Sequence, residues 1–313
     1  MTAPPQPDPP TTGVLVVDKP AGVTSHDVVA MARRALRLRR IGHTGTLDPM
    51  ATGVLVLCLG TATRLVDYFH DLPKTYVGEG VLGVVTTTQD LTGHVVAETD
   101  ASGITEAQLR AAMARFQGEI EQVPPMVSAV KVGGRRLYER ARAGEEVARP
   151  ARRVLIHSFT LDRFVPGRHP QFEFTVVCSS GTYVRTLVHD LGQALGCGAA
   201  LARLRRTAIG SLRVEEAVPA GDLERLAATS ELRARILAPA AALAHLPAVT
   251  LSPEAVRSVV HGQPVPAPAP GPGAPVRLLD GEGNLVAIAE PLRQANRWLL
   301  VPKKVFGVVD AAN

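Results

Sequence analysis

The chain has 313 residues, 46% of them hydrophobic and 20% charged. That supplies enough apolar material for one large domain and a small one, and no run approaches the roughly 18 consecutive apolar residues of a membrane span. The net charge of +5 points only weakly to an anionic partner, but eight Lys/Arg against three Glu lie between Lys131 and Arg153, so this segment alone carries the whole excess. A localised basic stretch suits a phosphate backbone better than a diffuse one does.

The first twelve residues are Pro-rich and polar, lack the basic start and apolar core of a secretory signal, and read as a disordered tail. Gly13 to Val17 reads as a short strand and Asp18 to Gly22 as a turn. Thr24 or Ser25 can cap a helix starting near His26, with Val28, Val29, Ala32, Ala35 and Leu36 on its apolar face. Arg33, Arg34, Arg37, Arg39 and Arg40 close that helix. Two readings of these charges stand side by side: cations suit the C-terminal end of a helix dipole, and a polyanion needs attraction close to the loop that follows.

That loop, Gly42 to Gly53, holds one carboxylate, Asp48. Pro49 pushes the residue before it toward extended geometry, and Gly42, Gly45 and Gly53 allow turns that other residues block. Val54 to Leu59, unbroken and apolar between Gly53 and Gly60, reads as a strand buried on both faces. Taken alone, Leu47-Asp48-Pro49 reads first as a tight loop whose Asp bonds its own backbone.

Thr61 can cap a helix over 62–69, and Lys74 begins a strand. Gly80 to Val96 reads as strand, polar turn and strand. A helix with Thr105 as its cap covers Ile104 to Phe116. Pro124-Pro125 bars a helix interior, Gly133-Gly134 marks a hairpin tip, and Arg136 to Arg142 reads as a short helix. Phe172, Phe174, Val176 and Cys178 alternate along a half-buried strand. Thr182 can then cap a helix from Tyr183 to Leu195, closed by Gly196. Arg185 falls in that helix's first turn, where a cation is disfavoured, which asks what anion it meets. Ala220 to Ala244 reads as two short helices around Thr229-Ser230, Pro264 to Pro275 as a loop, and Val276 to Val301 as strands around an Asp280-to-Asn284 hairpin turn.

The three cysteines, Cys58, Cys178 and Cys197, have no CxxC spacing and read as buried free thiols in a reducing cytoplasm. The sequence carries no HExxH, Cys/His cluster, Walker loop or GxGxxG after a strand. His189 and Asp190 are adjacent on a helix, so their side chains diverge and read as structural.

The stretch GHTGTLDPMATGVL resembles the catalytic motif of the TruB family of tRNA pseudouridine synthases. VLVVDKPAGVTSHDVV, QVPPMVSAVKVGGRRLYERARAG, CSSGTYVRTLVHDLGQALGCGAAL and LARLRRTAIG resemble further motifs of that family, and together the resemblance spans roughly residues 13 to 215. It implies an α/β (α+β) pseudouridine synthase fold, with a mixed, mostly antiparallel sheet flanked by helices. It implies a catalytic domain over 13–246 with an RNA-clasping insertion at about 122–153, and a small C-terminal β-rich, PUA-like domain over 247–313. The expected activity is an isomerase reaction without cofactor or metal, turning the uridine at position 55 in the T-arm stem-loop of tRNA into pseudouridine. The expected protein is cytoplasmic and off the membrane, and nothing in the sequence demands more than a monomer.

The resemblance also implies roles. Asp48 is the catalytic carboxylate, Arg185 its partner, and Tyr76 the ring stacked on a flipped uracil. His43 lies against loop bases, Tyr183 contacts Asp48 or the base, and Leu204 lines an apolar wall. Lys131, Arg135, Arg136 and Arg142 meet the RNA backbone. Lys19-Pro20 supports the catalytic loop. Where Met126 and Val127 stand, the family often has an aromatic.

The chemistry fits the residues. The C1′–N1 bond breaks, the base turns, and a link to C5 forms, which needs a carboxylate and neither oxidation nor ATP. Attack on C1′, attack on the base and removal of a ribose proton all start from that carboxylate. A target inside a folded loop must be extruded. An ionised carboxylate in a partly dry pocket needs a cation, which favours the Asp48–Arg185 pair. Two rival classes share features of the chain. A non-catalytic tRNA-binding module or folding chaperone would use the basic stretch and have no need of Asp48. A hydrolase would use Asp48 as nucleophile, and the sequence shows no second carboxylate at a readable spacing.

Overall fold

The strand after the Asp48 loop sets the frame. Val54, Val56 and Cys58 pack with Val14 and Val16 on one face, while Leu55, Leu57 and Leu59 pack with Leu15 and Val17 on the other. Successive strand side chains point to opposite faces, so an unbroken apolar run is what a strand between two cores requires.

The computed structural model describes residues 12–126, 131–132, 135–136, 147–267, 275–294 and 297–306. The chain starts with β1 (Gly13–Lys19), α1 (Ser25–Leu36), β2 (Ile41–His43), β3 (Thr52–Leu59), a 3-10 segment over Gly60–Leu65, and α2 (Val66–His70). β4 (Lys74–Leu82), β5 (Val84–Thr86), β6 (Val95–Glu98), α3 (Glu106–Ala114) and β7 (Gly118–Gln122) follow. β8 (Lys131–Val132) pairs antiparallel with β9 (Arg135–Arg136). Next come β10 (Arg152–Val165), β11 (Gln171–Cys178), α4 (Val184–Ala194), β12 (Ala199–Ile209), β13 (Leu212–Arg213) and β14 (Val218–Pro219). α5 (Leu223–Ala228), α6 (Glu231–Ala234) and α7 (Pro239–Ala242) lead to β15 (Ala248–Thr250), α8 (Pro253–Val260), β16 (Val265–Pro266), β17 (Val276–Leu279), β18 (Leu285–Gln294) and β19 (Arg297–Val305).

The large sheet runs β14-β1-β3-β12-β4-β11-β10-β7, with β2 added to β3 and β13 to β12. Only β1/β14 and β3/β12 pair parallel, so the sheet is mixed and mostly antiparallel, as expected for the pseudouridine synthase fold. On β11, Phe172, Phe174, Val176 and Cys178 are buried, as their alternation requires, in a core shared with Leu187 and Leu191 of α4 and Met113 of α3. A second sheet, β15-β17-β18-β19-β16, covers α8 with its own core around Val259, Val276 and Leu300. The two sheets are joined. Leu285 and Ile288 of β18 enter the cluster that holds Val14, Val54 and Phe69. The Lys304 ammonium donates to the Arg64 carbonyl and the Asp67 carboxylate at 2.7 and 2.8 Å.

The Thr24 and Thr105 caps form as expected, each in a reciprocal capping box with the third residue of its helix. Two other expected caps do not. Residues 60–65 wind as a 3-10 segment with no side-chain cap, so Thr61 has no helix to start. The Thr182 hydroxyl donates back to the Ser179 carbonyl at 2.9 Å, and α4 begins at Val184 without a side-chain cap. Asp18 and Lys19 end β1 instead of opening a turn. Residues 220–244 divide into a 3-10 turn and three short helices, because Ser230 breaks the run at φ 63° and Pro239 restarts it. α8 was not expected; Ser252 caps it and Pro253 opens it. The hairpin tip at Gly133-Gly134 and the expected helix over Arg136 to Arg142 fall at residues outside those described, apart from Arg136 itself.

Candidate active site

The Asp48 loop is tied down from three sides. The Ser25 hydroxyl, at the start of α1, accepts from the Leu47 N–H at 2.9 Å and donates to the Leu47 carbonyl at 3.3 Å. Lys19, fully buried at the end of β1, donates to the carbonyls of Pro20, Val23 and Pro49 at 2.9, 2.8 and 3.3 Å. Arg206 of β12, also buried, donates from Nε to the Val54 carbonyl at 2.7 Å and from Nη2 to the Gly45 carbonyl at 3.0 Å. Gly53, where the loop enters β3, has φ +100°, and a Cβ there would lie 2.1 Å from the Arg206 carbonyl oxygen. Only glycine lets the two parallel strands meet at this point.

The loop forms one wall of a cavity of about 460 Å³, with Tyr76 of β4, Leu204 and Arg206 of β12, the 179–183 loop and Arg185 of α4 completing it. Asp48 accepts from Arg185 Nη2 at 3.3 Å. Arg185 also faces Asp90, with Nη1 3.8 Å from the carboxylate, and both of these side chains are only 4% exposed. Asp90 comes from the turn between β5 and β6. It is held by the Thr88 hydroxyl, the Thr92 N–H and the Thr92 hydroxyl, and Thr186 of α4 donates to the Gln89 side chain at 2.7 Å. The polar turn thus folds inward against the first turn of α4 and supplies the anion that an arginine at that position calls for.

The electrostatics follow from burial. The Asp48 side chain keeps 38% exposure, but that exposure opens into the cavity, whose walls displace water. Desolvation therefore pushes its carboxyl above the usual range; Arg185 opposes the rise, Asp90 adds to it and Lys19 opposes it. Burial lowers Lys19 to about 8, against the pull of Asp48. Burial also raises the Tyr76 phenol, with Arg206 opposing. Tyr76 is 8% exposed, and its oxygen accepts from Arg206 Nη1 at 3.4 Å. The three cysteines are buried and unpaired, and desolvation pushes the Cys58 thiol up to about 12. Among the described residues no three His, Cys, Asp or Glu side chains form a metal-holding group, and no helix is long and apolar enough to cross a membrane.

Residues 33–184 match the model of the TruB family pseudouridylate synthase N-terminal domain, 185–244 that of the tRNA pseudouridylate synthase B C-terminal domain, and 247–306 that of the pseudouridine synthase II TruB C-terminal region. The chain is 48% identical to tRNA pseudouridine synthase B of Moorella thermoacetica, over 94% of this chain and 99% of that one. The chain belongs to the TruB family. It is also 55% identical to tRNA pseudouridine synthase B of Symbiobacterium thermophilum, over 80% of this chain and 82% of that one. Among solved structures, a chain of an H/ACA RNP bound to a substrate RNA containing 2′-deoxyuridine superposes with a TM-score of 0.74 at 27% identity, covering 95% of this chain and 86% of that one.

Of the site residues expected from the TruB motifs, Asp48, Arg185, Tyr76, Tyr183 and Leu204 line the one cavity. His43 does not. It sits on β2, edge-on to His26 at 5.5 Å between ring centroids, and burial first, then His26, lowers it to about 4. Tyr183 makes no hydrogen bond to Asp48 among the described residues. Its N–H donates to Gln122 Oε1 and its carbonyl accepts from Gln122 Nε2. Lys131, Arg135 and Arg136 lie on the β8–β9 pair; their side chains, and Arg142 altogether, fall outside the described residues. Sequence reasoning missed Asp90, Arg206 and Lys74. It also found no second carboxylate, although Asp90 reaches the site through Arg185. The readable signal for Asp90 was an Asp two residues before Thr92, a pattern in which the carboxylate bonds the backbone N–H two residues on.

Proposed function

We propose that this chain isomerises uridine to pseudouridine in tRNA, and that its target is the T-loop uridine at position 55. Membership of the TruB family supports the reaction. The observation that carries the assignment of residues is the placement of Asp48: a carboxylate of raised pKa on a stitched loop, beside Arg185, in a cavity walled by Tyr76 and Leu204. A protein that only binds RNA has no use for a desolvated carboxylate inside its RNA pocket, because it repels phosphate. In this reading the uridine leaves the loop stack and enters the cavity. Tyr76 and Leu204 hold the uracil, Arg185 keeps Asp48 ionised and aimed, and Asp48 starts breakage of the C1′–N1 bond.

The reading extends to the rest of the chain. Residues 13–246 act as the catalytic domain, the basic segment at about 122–153 clasps the T-arm, and 247–313 is a PUA-like appendage. Sequencing of pseudouridine in unmodified tRNA transcripts after incubation tests the assignment. The expected product is a single pseudouridine at position 55. Pseudouridine at another site, or none in any tRNA, would contradict it.

A further inference from the structure

Lys74, in the cavity wall, has no anion among its described hydrogen-bond partners. Lys74 opens β4 and is 5% exposed. Its ammonium donates to the His70 carbonyl and, at 2.8 Å, to the Ser180 hydroxyl. The Ser180 hydroxyl in turn donates to the same carbonyl. An ammonium has three protons to donate, and no carboxylate lies within ion-pair distance of Lys74 among the described residues. Holding a charge there with only neutral partners is unfavourable, and burial together with Arg206 lowers Lys74 to about 8. The imbalance extends around the cavity. Lys74, Arg185 and Arg206 line it together with one carboxylate, Asp48; Asp90 lies behind Arg185, and the described partners of Arg206 are carbonyls and a phenol. Three cations against these two carboxylates leave about one positive charge to spare, and the ligand the site suits is anionic.

The position of Lys74 says which anion. Lys74 and Tyr76 are two residues apart on one strand, so they present the same face about 7 Å apart. That is the span of a single nucleotide from its base to its phosphate. We propose that Lys74, seated on Ser180 and the His70 carbonyl, grips the phosphodiester adjoining the target uridine while Tyr76 holds the base. The inference rests on the synthase reading above, and it makes Lys74 a substrate-binding residue that fixes how far the nucleotide enters.

T-arm stem-loops carrying one uncharged methylphosphonate linkage, either 5′ or 3′ to the target uridine, test it against wild type, Lys74→Gln and Lys74→Arg. For wild type, one of the two neutral linkages is expected to weaken binding about tenfold, as is Lys74→Gln on the unmodified RNA. Lys74→Gln with that same neutral linkage loses no more, and Lys74→Arg keeps the wild-type penalty. Equal penalties in wild type and Lys74→Gln would overturn the proposal, as would a wild type indifferent to both linkages. The second of these outcomes requires no variant to fold. Failure of the synthase reading is separate: wild type would then form no pseudouridine on the unmodified stem-loop.

Discussion

Replacing Arg185 by Gln removes the cation beside Asp48 and leaves Asp90 uncompensated. Charges 3.3 Å apart attract by about 5 kcal/mol at an effective dielectric of about 20, and by about 1.3 kcal/mol in bulk water. Asp48 is more than a third exposed, so the screened end of that range applies. One pKa unit corresponds to about 1.4 kcal/mol. The Asp48 carboxyl already stands above its ordinary value, and its ionised form is lost as pH falls through that raised pKa. Losing Arg185 raises it further, so the acid limb of the single-turnover rate is expected to move up by about one pH unit. Asp90→Asn removes a neighbouring negative charge and moves the limb down. Arg185→Lys keeps the charge, so the limb stays while the rate falls with the lost guanidinium geometry. The assay is tritium release from C5-labelled uridine in a T-arm stem-loop across pH 5 to 9. The comparison is of the position of the limb, not its height. An Arg185→Gln limb that stays in place or moves down would refute the assignment of Arg185 as the group that holds Asp48 ionised.

Three other outcomes follow from the same geometry. Gly53→Ala puts a methyl against the Arg206 carbonyl at a positive φ and is expected to cost about 3 kcal/mol or more, lowering the thermal midpoint by roughly 5–10 °C; an unchanged midpoint would show that the strand crossing can relax. Lys19→Met strips the buried ammonium that three partly buried carbonyls share. It should cost about 2–4 kcal/mol in denaturant unfolding and lower turnover more than tRNA affinity, because Pro49 is the anchor next to Asp48. Equal losses of turnover and affinity would contradict that. Reversing charge at Arg135, Arg136 and Arg142 together should weaken binding and reduce the slope of log affinity against log salt by roughly 2; an unchanged slope would remove the segment from the interface.

What the sequence disclosed and what it hid divide along physical lines. β3, the Asp48 loop and the capped start of α1 were legible because each depends on neighbours in sequence: an apolar run between glycines, a proline after the carboxylate, a Thr three residues before an Asp. Arg185 was legible as an oddity, a cation where the helix dipole disfavours one. Asp90 was hidden because a turn rich in Thr and Gly reads as solvated. Long-range bonds turn it inward, with the N–H of Leu91 donating to the Leu201 carbonyl and that of Leu201 to the Gln89 carbonyl. Arg206 and Lys74 were hidden for a similar reason. A charged residue on a strand is expected at the surface, and these two are buried only because the loops around Gly45 and Ser180 close over them. His43 shows that neighbours in sequence need not share a wall: Thr44 and Gly45 line the cavity, while the His43 ring packs edge-on against His26.

The central claim is that Asp48 performs the chemistry and is not needed for binding. Tritium release from C5-labelled uridine in a T-arm stem-loop, in EDTA, with wild type beside Asp48→Asn and tRNA affinity measured on both, tests it most directly. Release by wild type alone is expected, with affinities within several-fold of each other. Release by Asp48→Asn would contradict it.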